Sequence, residues 1–290
     1  MLIPCQIVRA LVLGAGGQLG SELVALLPGA TGLLRQELSV SDRAGIEAAC
    51  AHYRPDVLFN CAAYNAVDRA ETEPELAYAI NAAGAENVAI ACSRRRIRLV
   101  HFSTNFVFDG RLDRPYTEED EARPLSAYGR SKLEGERSTL TALPEALVVR
   151  TAAVFGDRGS AIKGGSFPQR IVERARSGQQ VRVVSDQRVN PTYARDLARA
   201  AIDLAAGELN GVVHVVAAGC CAWDEFARAA LAASGVEGEV QPITTADLAA
   251  AAGRPLNGCL ESVRTDSLRP WLLGVEEWAA AFGEGRGITR

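Results

Sequence analysis

The apolar run Ala10-Leu11-Val12-Leu13 leads without a break into Gly14-Ala15-Gly16-Gly17-Gln18-Leu19-Gly20, and a helical pattern follows through Ser21 to Leu27. A strand that turns through glycines into a helix constrains the fold strongly, because the start of a helix leaves amides unpaired and carries the positive end of the dipole. An anionic group reaches those amides only where side chains are missing, and Gly14, Gly17 and Gly20 meet that need. Further apolar runs at Gly32–Leu34, Asp56–Asn60, Arg98–Phe102, Ala146–Arg150, Val181–Val184 and Val212–Val216 are mostly separated by amphipathic stretches such as Pro74–Cys92 and Tyr128–Leu140. Alternation of this kind predicts an α/β protein with a parallel sheet covered by helices on both faces, of the Rossmann-type doubly wound form.

The organisation expected is a dinucleotide-binding domain over residues 1–155, rejoined by 181–218. A smaller, mostly helical C-terminal substrate-binding region would take 156–180 and 219–290, with Asp157–Phe167 as a lid-like connection. A chain of 290 residues with 48% apolar content builds such a core easily. Its net charge of −4 and scattered basic residues speak against nucleic acid as a partner, and Arg94-Arg95-Arg96 reads as the cationic end of a helix. No apolar stretch is long enough to span a bilayer, and the start Met1-Leu2-Ile3-Pro4-Cys5 has no signal-peptide pattern. The seven cysteines lack paired CxxC spacings. Reduced thiols in a cytoplasmic protein are therefore expected, with no metal site, and Cys220-Cys221 as two packed thiols. His52, His101 and His214 are isolated and read as structural.

Lysine is nearly absent: the chain has 29 arginines and two lysines, and one of the two, Lys132, stands four residues after Tyr128 in Ala-Tyr-Gly-Arg-Ser-Lys. At that spacing the two side chains share a helix face. Lysine is a compact ammonium that arginine does not replace, and beside a phenol it is expected to lower a pKa of about 10 toward the working range of a general acid. Thr104 follows the strand Arg98–Phe102, at the carboxyl edge where ligands of such sheets bind. After the second strand, Arg35 suits the 2′-phosphate of NADP, which makes NADPH the expected cofactor. Glu37 nearby keeps NADH open.

The glycine turn and the Tyr128/Lys132 pair together resemble the extended short-chain dehydrogenase/reductase superfamily. Within it the chain is similar to the dTDP-4-dehydrorhamnose reductase family from residue 8 to about 280. The likeness runs through Asn60-Cys61-Ala62-Ala63-Tyr64, Ala66-Val67-Asp68, Asn81-Ala82, Ser103-Thr104, Val107-Phe108-Asp109-Gly110, Arg150-Thr151, Asp186-Gln187, Pro191-Thr192-Tyr193 and Arg254-Pro255. The resemblance implies reduction of a 4-keto nucleotide sugar by a catalytic set of Thr104, Tyr128 and Lys132. It implies a cofactor lined by Gly14, Gly16, Gly17, Gln18, Leu19, Arg35, Ser39, Val40, Cys61, Ala62, Ala63, Tyr64, Asn81, Ser103 and Lys132. Thr104, Asn105, Phe106, Tyr128 and Ala153 would face the substrate, and a homodimer is left open. A capping hydroxyl and a helix-interior amide are the plainer readings of Thr104 and Asn81.

The sugar pocket departs from the family pattern. Thr104-Asn105-Phe106 stands where the family usually has Thr-Asp-Tyr, Ala153 where it places a tryptophan, Val189 where it has a glycine, and Ser39 where it has an aspartate near the adenine. Lost polar groups alter which hydroxyl pattern a pocket accepts. Two rivals share the fold: a nucleotide-sugar epimerase or dehydratase that keeps its NAD, and a non-catalytic binding subunit like the regulatory subunit of methionine adenosyltransferase. Retention of Tyr128 and Lys132 favours catalysis.

Overall fold

The computed structural model describes residues 9–157 and 165–284. The first half runs β1 (Ala10–Leu13), α1 (Gln18–Leu26), β2 (Thr31–Leu33), α2 (Arg43–Tyr53), β3 (Val57–Asn60), α3 (Pro74–Tyr78), α4 (Gly84–Arg95), β4 (Arg98–Thr104), α5 (Ala127–Ala142) and β5 (Leu147–Thr151). Then come β6 (Val154–Phe155), α6 (Phe167–Arg176), β7 (Val181–Val184), β8 (Arg188–Val189), β9 (Thr192–Tyr193), α7 (Ala194–Ala206) and β10 (Gly211–His214). The chain closes with β11 (Ala217–Ala218), β12 (Cys221–Ala222), α8 (Trp223–Ala233), β13 (Val240–Ile243), α9 (Thr245–Leu248), β14 (Leu268–Pro270) and α10 (Trp271–Glu284).

Six strands form the central sheet in the order β10-β5-β4-β3-β1-β2, every neighbouring pair parallel. Successive side chains of a strand point to opposite faces. Val12, Phe59, Val100, Phe102 and Val149 accordingly pack with Leu23 of α1 and Leu197 and Ala201 of α7 on one side. Leu11, Leu13, Leu58 and Leu99 pack with Ile46 of α2, Val88 and Cys92 of α4, and Ala127 and Tyr128 of α5 on the other. Because both faces are covered, the strands read as nearly unbroken apolar runs. This is the Rossmann-type doubly wound sheet. No helix among the described residues is long and apolar enough to cross a membrane.

The second layer of packing lies beyond β5, where Phe155, Ile171, Val172, Phe226, Leu231 and Trp278 bring α6, α8 and α10 into a separate core. Val181–Val184 corrects one expectation. It forms β7 and pairs in parallel with β13, outside the central sheet, while β10 does return to pair with β5. A short apolar run carries no record of which edge it joins. Of the lid-like connection expected over Asp157–Phe167, residues 158–164 lie outside the described residues.

The cysteines are a second correction. Cys220 and Cys259 form a disulfide with Cα atoms 6.1 Å apart, within the usual span of such a bridge. Cys50, Cys61, Cys92 and Cys221 are free. The partners are 39 residues apart in sequence. Their proximity comes from tertiary structure, so spacing patterns have nothing to detect.

Candidate active site

The site opens at the carboxyl end of the central sheet, where the glycine turn leaves β1. Gly14 has φ +75°, in the left-handed region, and a Cβ there would stand 2.8 Å from the Ala62 amide nitrogen. Gly20 lies so close to the turn that a Cβ would overlap the Gly14 carbonyl. These two glycines therefore serve close packing of the turn against β3 and α1. Gly16 and Gly17 are the exposed ones. Gly17 begins α1 with no side-chain cap, which leaves the first amides of the helix to an outside acceptor, and the buried Gln18 Oε1 beside them has no partner. A bare helix start reached over exposed glycines fits a dinucleotide pyrophosphate.

Helix α5 carries Tyr128 and Lys132, both buried. Its start is held by the Ser126 hydroxyl, which accepts from the Gly129 amide at 3.1 Å, and by Glu71, whose carboxylate accepts from the Ala127 amide at 2.7 Å. The Thr104 side chain at the end of β4 lies near enough to the Tyr128 phenol to act on its pKa, and the Tyr128 ring meets Phe106 edge-on with centroids 5.5 Å apart. Thr104 also caps the turn that follows, accepting from the Phe106 amide at 3.2 Å. The Lys132 Nζ donates to the Phe102 carbonyl at 2.6 Å.

The electrostatics correct the expected effect of the ammonium. Burial pushes the Tyr128 phenol above its ordinary value, with the nearby Thr104 side chain acting against it. Burial also brings Lys132 down to about 8, against the pull of Glu136. The cause is depth: both groups are dry, and the ammonium is spent on a backbone carbonyl.

Several residues expected to touch cofactor or substrate have side chains bonded to the protein. Asn81 sits in a π-helical turn, Ala79–Ala83, between α3 and α4. Its side chain accepts from the Tyr64 amide at 2.8 Å and donates to the Tyr64 carbonyl at 3.0 Å and Ser131 Oγ at 2.9 Å, so it pins the loop after β3 to α5. Ser103 donates to the Glu136 carboxylate. Asn105 donates to the Gly258 carbonyl at 2.9 Å and so ties β4 to the C-terminal region. These polar side chains are buried, and buried polar groups take the nearest fixed partner.

The remaining expected residues divide between surface and interior. Arg35 is exposed after β2, and Glu37 is drawn back onto its own turn, accepting from the Leu34 amide at 2.7 Å. Ser39 is exposed, whereas Val40 is buried and its carbonyl accepts from Asn87. Cys61 and Ala62 are half-buried, Ala63 is exposed, and the Tyr64 hydroxyl donates to Glu73 at 2.7 Å. Burial holds the Cys61 thiol well above its ordinary value. Leu19 is buried within α1. Ala153 takes a left-handed conformation, φ +42°, with its carbonyl bound to the Thr192 amide. Sequence reasoning missed Glu136 and took Arg150 only as a point of family likeness, whereas the two form a buried ion pair between β5 and α5. The signal available was the continuation of the Tyr128, Lys132 spacing by four more residues. Among the described residues no cluster of three or more His, Cys, Asp or Glu side chains suits a metal ion.

The glycine turn of α1 and the Tyr128/Lys132 face of α5 share one end of a parallel sheet, and that layout makes the chain a short-chain dehydrogenase/reductase, an NAD(P)H-dependent oxidoreductase. Within that class it belongs to the dTDP-4-dehydrorhamnose reductase family: the family model described as RmlD substrate binding domain matches residues 8–283. A dTDP-4-dehydrorhamnose reductase of Mycobacterium tuberculosis is 38% identical over 288 residues, spanning 94% of this chain and 91% of its own. A dTDP-4-keto-6-deoxy-D-glucose reductase of Streptomyces niveus is 37% identical over 282 residues, spanning 94% and 95%. Among solved structures, dTDP-4-dehydrorhamnose reductase of Bacillus anthracis in complex with NADP superposes with a TM-score of 0.90 at 31% identity, over 94% of this chain and 99% of that one.

Proposed function

We propose that this chain is a ketoreductase that turns the 4-keto group of a deoxy nucleotide sugar into an alcohol, with Tyr128 as proton donor. The observation that carries this reading is the placement of Tyr128 on α5 close to Thr104 at the carboxyl end of β4, with the buried Lys132 one turn along the same helix. Two hydroxyls on one spot can grip a single carbonyl oxygen, Thr104 orienting it and Tyr128 supplying the proton. Burial keeps the phenol protonated until that oxygen gains charge, and an alkoxide is basic enough to take the proton. NADPH, when bound, supplies the hydride that the carbonyl carbon gains.

The start of α1 with Gly16 and Gly17 would hold the pyrophosphate, Arg35 the 2′-phosphate, and the segment from Cys61 to Tyr64 the inner wall. The sheet domain would carry the cofactor, and 156–180 with 219–290 the nucleotide sugar. Asn105 and Ala153 leave fewer groups for sugar hydroxyls than a carboxylate and an indole would, which supports a substrate with few hydroxyls near the ketone.

Keto-sugar-dependent oxidation of the free cofactor tests the reading. The wild-type chain should prefer NADPH to NADH, and Arg35→Ala should reduce that preference about tenfold, the worth of one charge-assisted hydrogen bond. Arg35 is exposed and has no stability to lose. An unchanged preference would remove Arg35 from the phosphate site, and no oxidation with any 4-keto nucleotide sugar would remove the activity.

A further inference from the structure

Glu136 lies one helical turn beyond Lys132 on α5 and is 2% exposed. Three donors converge on its carboxylate: Ser103 Oγ from β4, and from β5 the Arg150 Nε at 2.9 Å and Nη2 at 2.7 Å. The Arg150 guanidinium lies over the Phe108 ring, 5.1 Å from its centroid. An ion pair this deep is a weak source of stability, since apolar side chains of equal volume do as well or better. Its position is more telling, because it joins the two strands that end at the site to the helix that carries Tyr128 and Lys132.

Glu136 and Cys61 act on the charge of Lys132, and other groups lie on the elements around it. Tyr128 and Glu136 share its helix, His101 lies on β4, Cys61 follows β3, and Arg150 on β5 is engaged through Glu136. Burial, with the lysine charge, holds His101 neutral, and the Cys61 thiol stays protonated. Of these neighbours, Glu136 alone is an anion.

We propose that Glu136 is a positioning residue for the reduction: its carboxylate, anchored on Ser103 and Arg150 one helical turn from Lys132, supplies the negative charge that balances the buried Lys132 ammonium. The inference rests on the ketoreductase reading for its consequence in turnover. The charge relation itself stands apart from that reading.

The composition of the chain makes a direct test practical. With two lysines in all, Lys132 and Lys163, labelling with isotopic lysine yields two side-chain NMR signals, and Lys163→Arg assigns them. In the full-length Glu136→Gln variant the titration midpoint of Lys132 should fall by about one unit or more. The alkaline limb of the kcat/KM profile should move to lower pH with it. A double variant, Glu136→Gln with Arg150→Met, leaves no buried guanidinium without its carboxylate and guards against a failure to fold. It should still show a lowered midpoint, by a smaller amount. A Lys132 midpoint unchanged in either folded variant overturns the proposal. A lowered midpoint in a chain that reduces no keto sugar would support the charge relation while refuting the ketoreductase reading.

Discussion

Tyr128→Phe should lower kcat by about a thousandfold while leaving the affinity for NADPH nearly intact, within the range ascribed to loss of one general acid. The substitution removes an oxygen and keeps the ring. That ring is packed with Ala127 and Ile80 under α5 and edge-on to Phe106, and phenylalanine fills the same space. The fold therefore survives, and the kinetic effect reads the proton directly. A variant that turns over keto substrate at the wild-type rate would mean that the proton comes from elsewhere.

Gly135→Val should be nearly as damaging by a different route. Gly135 is on α5, between Lys132 and the end of the helix, and a Cβ built on it would overlap the carbonyl of Asn81. That carbonyl belongs to the π-helical turn that anchors the loop after β3. Neither partner is the end of a flexible side chain, so α5 and the turn must separate. The cost should be about 3 kcal/mol, the upper part of the overpacking range. Thermal unfolding would report it as a lowered Tm, with turnover lost as Tyr128 moves with its helix. A valine variant with wild-type Tm and activity would contradict this close approach of helix and turn.

The central sheet was legible in the sequence because each of its inner strands is buried on both faces and therefore forms a dense apolar run, as Val57–Asn60 and Leu147–Thr151 do. The turn at Gly14 was legible because a left-handed conformation and a close backbone approach both require glycine. What sequence did not reveal depends on distant partners. Val181–Val184 joins Val240–Ile243 instead of the main sheet, and Cys220 finds Cys259. Asn81, Ser103 and Asn105 stand in the site segments, yet each is turned onto a neighbour that only the folded chain supplies. The sign of the Tyr128 shift was misjudged for the same reason, since burial outweighs a lysine whose ammonium is held by the Phe102 carbonyl.

The account turns on net transfer of hydride to the sugar, and isotopic labelling measures it. NADPH deuterated on the transferring face of the nicotinamide, mixed with a 4-keto-6-deoxy nucleotide sugar and this enzyme, should yield an alcohol carrying one deuterium at C4, with one NADP⁺ formed for each sugar reduced. Sugar that rearranges without deuterium while the NADPH stays unoxidised would contradict it.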